Sequence, residues 1–382
     1  MPVKPPLSLY VHLPWCVRKC PYCDFNSYSG GDAESRTRYL EALLADLRKE
    51  AAGVPGREII SIFLGGGTPS LFTPGEIGRL LDEAANVLSL ADGVEITMEA
   101  NPGTVECGDP GGYRKAGVNR LSIGAQSFDA QALAALGRIH GVADIGHAAG
   151  EARDAGFDNI NLDLMYALPG QSVAAAISDI EAAVGLEPQH ISWYHLTLEP
   201  NTVFHARPPA GLPDEDMSFE IQNEGEAVLA GHGYGRYEVS AFAGAGWRCL
   251  HNLNYWSFGD YLAVGAGAHG KVSTPEGIFR YAKPANPQQY MKGIEAGEAT
   301  ARTVIGDADL LFEFMLNASR LIDGFAETGF TARTGLPAEK LRRQLEPLVE
   351  KGLITQAGAH KWLPTTTGRR FLNDVQAHFL PE

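Results

Sequence analysis

Short apolar runs alternate with stretches of helical periodicity from the start of the chain to about residue 194. Residues 7–12 read as a strand leading into a cysteine-bearing loop. Leu40, Leu43, Leu44 and Leu47 then recur at i, i+3, i+4 and i+7, which is one apolar helix face. Residues 59–64 read as a strand, GGGTP as its loop, and Ile77, Leu80, Leu81, Ala84 and Leu88 mark a second helix. Further strands are expected at residues 94–98, 120–123, 159–164 and 190–194, with helices at 144–155 and 173–184 between the later ones. Six βα units in sequence predict parallel strands joined by right-handed crossovers.

Polar candidate residues stand at or just past the C-terminal ends of several strands rather than at one switch point, as they do in barrels. Six units are too few to close an eight-stranded barrel. The pattern therefore predicts an α/β fold, an open, partial (β/α)6 TIM-like barrel. Residues 310–321 and 339–349 are amphipathic, the second with Leu341, Leu345, Leu348 and Val349 on one face. A hairpin at 352–363 and a last helix toward Phe379 complete a smaller, mostly helical, winged-helix-like domain. Three parts are expected: residues 1–240, residues 241–302 opening on a Gly/Ala-rich linker at 241–246, and residues 303–382.

Composition narrows the class. A chain of 382 residues, 45% apolar and 20% charged, has ample length for a core, and its 44 glycines are unusually many. No apolar run has the length of a membrane span, and the first residues lack a signal-peptide core, so a cytoplasmic protein is expected. Five cysteines, three of them bunched, suit a reducing compartment. The net charge of −15 argues against a chain that coats nucleic acid. Residues 331–370 nevertheless carry eight Lys/Arg against three Asp/Glu, so Arg342, Arg343, Lys351 and Arg369 could contact phosphates if the wing-like domain bound nucleic acid. A solvated helix face explains Arg342 and Arg343 equally well, and no nucleic-acid partner is expected.

The chemistry concentrates in YVHLPWCVRKCPYCDF, where Cys16, Cys20 and Cys23 are spaced C-x3-C-x2-C. A structural zinc site wants four ligands, usually as paired motifs, and no second pair follows, since Cys107 and Cys249 are isolated. Cubane iron-sulfur clusters usually take four thiolates as well, so three leave one iron open for a further ligand. On spacing alone, buried structural cysteines and zinc stay as the weaker alternatives. Gly65, Gly66, Gly67, Thr68 and Pro69 sit between a strand and a helix, where glycines allow close approach of a ligand and offer N–H groups to an anion. A tight βα turn is the simpler alternative, and the spacing matches neither the dinucleotide nor the P-loop pattern.

With Tyr22 before its last cysteine, this signature resembles that of the radical S-adenosylmethionine (SAM) superfamily. The resemblance implies a [4Fe-4S] cluster on Cys16, Cys20 and Cys23, with the amino and carboxylate groups of SAM on the fourth iron. It also implies that Gly66, Gly67 and Thr68 receive the methionyl amino group. MEANPGT, LSIGAQSF, LGRIH and NLDLMYALPGQ narrow it to the oxygen-independent coproporphyrinogen oxidase branch. There Glu99, Gln126, Arg138 and Asp163 match SAM-binding residues, and Tyr10 and Tyr22 lie beside the cluster. Glu99 and Asp163 suit ribose hydroxyls, and Arg138 suits a carboxylate.

Two departures argue against substrate oxidation. Phe25 stands where the oxidases carry a further cysteine, and only nine residues precede Tyr10, where they have a longer segment. CLHNLNYW resembles instead the HNxxYW motif of HemW-type haem chaperones. That resemblance implies haem as cargo, held by Cys249, His251, Asn252, Tyr255 and Trp256, with His251 or Cys249 on the iron and the two aromatics against the macrocycle. It further implies a haem-accepting target protein and an electron donor for the cluster, and it leaves a membrane-associated recipient open. GDYLAVGAGAHG, containing His269, resembles a family segment of close-packed glycines.

Overall fold

The computed structural model describes residues 4–103 and 108–381, so Cys107 lies outside the described residues. The expected strands are present as β1 (Leu7–Leu13), β4 (Glu58–Gly66), β5 (Ser89–Ala100), β6 (Arg120–Gln126), β7 (Ile160–Tyr166) and β8 (His190–His195), with the short pair β2 (Trp15–Cys16) and β3 (Tyr28–Ser29) inside the cysteine segment. The six pair in parallel in the order β1-β4-β5-β6-β7-β8. Their outward side chains are apolar: Leu7, Leu9 and Val11 are buried against Leu40, Leu43 and Leu47 of the helix Ala33–Ala51. The helix Pro74–Val87 starts on a Thr73/Glu76 capping box with proline in its first turn.

Alternation along each strand then turns polar groups inward. The inner face carries Ser8 and His12 of β1, Ser61 of β4, Glu95 and Glu99 of β5, Ser122 of β6, and Asn161 and Asp163 of β7. Both faces of a parallel sheet are normally apolar. A polar concave face is the first sign that the sheet encloses something other than core.

The sheet is wider than the periodicity predicts. β9 (Gly235–Glu238), β10 (Ala241–Ala243), β11 (Asp260–Val264), β12 (His269–Thr274), β13 (Gly277–Ala282) and β14 (Arg302–Val304) extend it to twelve strands, in the order β14-β13-β12-β11-β1-β4-β5-β6-β7-β8-β10-β9. β11 runs parallel to β1, whereas β10 and β12 are antiparallel to their neighbours. This corrects one expectation. Residues 241–246 are not simply a linker, because β10 pairs with β8, and GDYLAV supplies the buried strand β11. Among the described residues no helix is long and apolar enough to cross a membrane.

The C-terminal helices Asp307–Ala318, Glu327–Thr334 and Ala338–Glu350 pack with a three-stranded sheet of β15 (Phe325–Ala326), β17 (Lys361–Pro364) and β16 (Ile354–Gln356). Phe314 sits at its centre, edge-on to Phe325, Phe330 and Phe258, so this core runs into the margin of the large sheet. Glu327 is buried and accepts from Arg342 Nε (2.8 Å) and Nη2 (2.6 Å), His360 Nδ1 (2.9 Å) and Trp362 Nε1 (3.1 Å). Arg342, a candidate for phosphate contact, is thus engaged inside the fold.

The hydrogen bonds from Arg342 lead the causes that pull Glu327 down to about 2. A depressed carboxylate contributes stability above its ordinary value near 4.5, and that contribution is lost as pH falls through 2. Glu327→Gln should therefore lower local stability by on the order of 2–3 kcal/mol at pH 7, roughly 30- to 150-fold in amide protection. Hydrogen exchange of the β15–β17 amides checks this. The difference from wild type should shrink between pH 4.5 and 2.

Candidate functional site

Cys16 ends β2, and the β2–β3 pair closes the loop on which Cys20 and Cys23 stand. The Cys23 N–H donates to Cys20 O (3.2 Å), and Lys19 Nζ donates to Phe25 O (2.9 Å). Main chain holds this loop to the sheet: Gly67 N–H donates to Leu13 O (2.7 Å) and Thr68 N–H to Trp15 O (2.8 Å). A Cβ on Gly67 would lie 2.6 Å from Trp15 O and 2.8 Å from the Pro14 carbonyl carbon, so the contact requires glycine. The Gly66 amide goes to Glu99 Oε2 (3.0 Å). The expectation that this loop aims its N–H groups at an anion is therefore corrected, because all three amides serve the fold. Such a loop suits accepting from an ammonium.

The segment containing β11 and β12 backs the cysteine loop from behind. Asn26 Nδ2 donates to Ala266 O (2.9 Å) and Ala285 O (2.8 Å). His12 Nε2 donates to Asn26 O (2.9 Å) while its Nδ1 accepts from the Tyr10 hydroxyl (2.9 Å), a tautomer assigned from the carbonyl partner. Gly267, at φ 76°, leaves room for the Asn26 side chain, which an added Cβ would approach to 2.3 Å.

Cys16, Cys20 and Cys23 line one cavity of about 290 Å³ with Tyr22, Gly66, Gly67, Thr68, Glu99, Gln126, Arg138 and Asp163. Tyr10 lines a neighbouring cleft of about 390 Å³ that shares Phe25, Gly66 and Glu99 with it. Sequence reasoning missed the residues that hold these groups in place. Arg138 Nη2 donates to Asn101 Oδ1 (2.7 Å) and Gly124 O (3.0 Å). Asp163 accepts from Ser122 Oγ (2.9 Å) and Asn161 Nδ2 (2.8 Å), and Gln126 Oε1 accepts from the Tyr194 hydroxyl (2.8 Å). The period-two alternation of β6, β7 and β8 was the signal for Ser122, Asn161 and Tyr194. Gln126 has φ 69°, left-handed for a non-glycine residue, where the β6–β7 register shifts. Such strain at a strand end re-aims a side chain and tends to mark function. Burial, reinforced by Asp163, pushes Glu99 up to about 7, and burial also raises Asp163. Two half-buried carboxylates lining one cavity favour a ligand that brings hydroxyls or positive charge.

The HNxxYW segment is the helix Leu250–Trp256, which packs on β4, β1 and β11. Glu95 accepts from the amides of Leu250 and His251 at its N-terminus (both 3.1 Å) and from Cys249 Sγ (3.4 Å). Cys249 is 1% exposed, and burial pushes its thiol up to about 12. His251 is 5% exposed, hydrogen-bonded with Ser61 Oγ (3.2 Å) and stacked on Phe63 at 4.9 Å, and burial pulls it down to about 3. Neither residue lines either cleft. Asn252 lines neither cleft as well, and Trp256 lies under the Arg320 guanidinium, 4.2 Å away. Tyr255 alone of the five reaches the second cleft, stacked on Tyr261 at 4.1 Å.

Two family models match the chain, the radical SAM superfamily over residues 10–182 and the HemN C-terminal domain over residues 307–371. "Heme chaperone HemW" of Escherichia coli (strain K12) is 46% identical over 381 residues, covering 99% of each chain. The protein of the same name from Haemophilus influenzae is 44% identical over the whole of both chains, and that of Bacillus subtilis is 34% identical over 98% of this chain and 99% of its own. The chain belongs to the HemW family. The fold is also that of coproporphyrinogen III oxidase (HemN) from Escherichia coli, with a TM-score of 0.82 at 23% identity over 98% of this chain and 90% of that one.

Membership of the HemW family, within the radical SAM superfamily, implies a [4Fe-4S] cluster and SAM. The residues fit both. The three thiols line one cavity, and Arg138 Nη1 donates to Cys20 Sγ at 3.6 Å. Among the described residues no three His, Cys, Asp or Glu side chains converge enough for a single metal ion, whereas a cubane spreads its ligands over separate irons.

Gly67→Ala should prevent the cysteine loop from seating, and iron and sulfide analysis after anaerobic reconstitution should find less of both than in wild type. Full wild-type loading would show that the loop does not depend on this contact. Glu99→Gln tests the buried charge. A carboxyl raised from 4.5 to about 7 is protonated in both states below pH 4.5, and above pH 7 its ionisation opposes folding by on the order of 3 kcal/mol. The variant should melt higher than the ligand-free wild type at pH 8, with the gain fading as pH falls toward 4.5, and should bind SAM more weakly.

Proposed function

We propose that this protein binds haem and hands it to a haem-accepting protein in the cytoplasm, working from a radical SAM core. The observation that carries the reading is end-to-end similarity to proteins named haem chaperones, at 46% identity over 99% of both chains. The aromatic cleft beside the cysteine cavity supports it, as does Phe25, which is 57% exposed on the wall common to both.

Cys16, Cys20 and Cys23 would hold the cluster. When bound, cluster and SAM together supply one-electron chemistry that splits a carbon–sulfur bond, which requires an external electron donor. Around them the chain binds and orients. Arg138, fixed by Asn101 and Gly124, is set to meet a carboxylate, and Glu99 and Asp163 to accept from hydroxyls. Gln126 and Thr68 add polar contacts, and Tyr22, packed against Phe204 at 6.3 Å, shields the cavity from water. Tyr10 is held by His12 at the edge shared with the aromatic cleft. A membrane-bound haem protein is one recipient that suits this carrier.

The fold shared with coproporphyrinogen III oxidase gives the second reading, radical decarboxylation of propionates to vinyl groups. The full chain, reconstituted without oxygen, decides between them when haem titration is run beside incubation with SAM, reductant and coproporphyrinogen. We expect a haem complex that loads an apo-haem protein and no protoporphyrinogen. Protoporphyrinogen in the incubation would replace the chaperone reading with the enzyme.

A further inference from the structure

Resting on the haem-carrying reading, we propose that His269 supplies the axial ligand to haem iron, in the cleft between the cysteine loop and strands β11 and β12, with Tyr255 and Tyr261 as its aromatic wall. An iron ligand needs a ring nitrogen that the fold has not already used and a position from which a planar macrocycle can approach. His251 fails on the second count: it is 5% exposed and lines neither cleft, with its Nδ1 bonded to Ser61. His12 lines the cleft, but both its nitrogens are taken by Tyr10 and Asn26. His269 lines the same cleft, is exposed, and has no hydrogen-bond partner among the described residues.

The surroundings suit a porphyrin. Tyr255 and Tyr261 stack face to face, 4.1 Å apart and 18° from parallel, as an aromatic pair lining the cleft, and exposed Phe25 lines it as well. The Tyr255 hydroxyl, like the His269 ring, has no hydrogen-bond partner among the described residues. His269 opens β12 in register with Ala282 of β13, so it stands on a paired strand rather than a loop, which fixes its position. No residue lining the cleft is cationic, so the propionates would face solvent. Phe25, Gly66 and Glu99 belong to this wall and to the cysteine cavity, which sets the cargo beside the cluster and SAM. His251, 4.9 Å from Tyr255 and stacked on Phe63, is then a positioning residue that supports the wall from below.

The test is an anaerobic haem titration of the full chain followed in the Soret region, with His269→Ala, His251→Phe and His147→Ala beside wild type. His147 is an exposed histidine on the helix Val142–Asp154, paired with Glu151 and lining neither cavity, and serves as the control. His269→Ala should lose the wild-type Soret position and bind haem at least tenfold more weakly, with added imidazole restoring the spectrum. His269→Met, which exchanges one iron ligand for another, should bind with a changed spectrum. His147→Ala should keep the wild-type spectrum and affinity, and His251→Phe should keep the wild-type Soret position while binding haem more weakly. An unchanged spectrum and affinity in His269→Ala would overturn the proposal while leaving the haem-carrying reading in place. Loss confined to His251→Phe would overturn it by moving the ligand to that residue. Failure of the wild type to bind haem would overturn both.

Discussion

The short main-chain contact between Leu13–Trp15 and Gly67–Thr68 governs the rest of the site. It fixes a cysteine loop with little regular structure of its own to the ends of two adjacent parallel strands, using amides and carbonyls in place of adaptable side chains. Backbone approaches this closely only where no Cβ intervenes, so the glycines of GGGTP are a condition of the docking. The thiols inherit their position relative to Glu99, Arg138 and Asp163 from that seam.

A second constraint acts beneath the site. The concave face of the sheet is polar, and buried polar groups are costly unless bonded. The helix Leu250–Trp256 resolves this by filling the hollow. Its first amides satisfy Glu95, Asn254 reaches Ser8 (2.9 Å) and the Asp260 carbonyl (2.8 Å), and His251 meets Ser61. A motif whose letters suggest metal chemistry thus divides into residues that tie down the base of the barrel and one, Tyr255, that reaches an open surface.

Much of the parallel core was legible in the sequence, because local periodicity encodes it: Leu40, Leu43 and Leu47 mark a helix face, and LSLYVHL and INLDLMY alternate inward and outward positions. The cavity-lining candidates were legible as well, since each stands near a strand end. What escaped depends on distant pairing. β11 is a five-residue run flanked by glycines, and nothing near it in sequence announces that its partner is β1. The burial of Cys249 and His251 escaped for the same reason, since a helix seven residues long carries no signal of the hollow it enters. His269 reads as an ordinary lone histidine until β12 is seen to place it beside Tyr255 and Phe25.

The partnership of β1 with β11 bears on the order of assembly. Until residue 260 has been synthesised, the first strand keeps one hydrogen-bonding edge bare, and the carbonyls that clasp Asn26 lie 240 and 259 residues further along. An emerging chain can form its early helices while the thiol loop still lacks its backing. Metal loading during translation would therefore meet an unfinished cradle, and incorporation of the inorganic cube belongs after most of the polypeptide has left the ribosome.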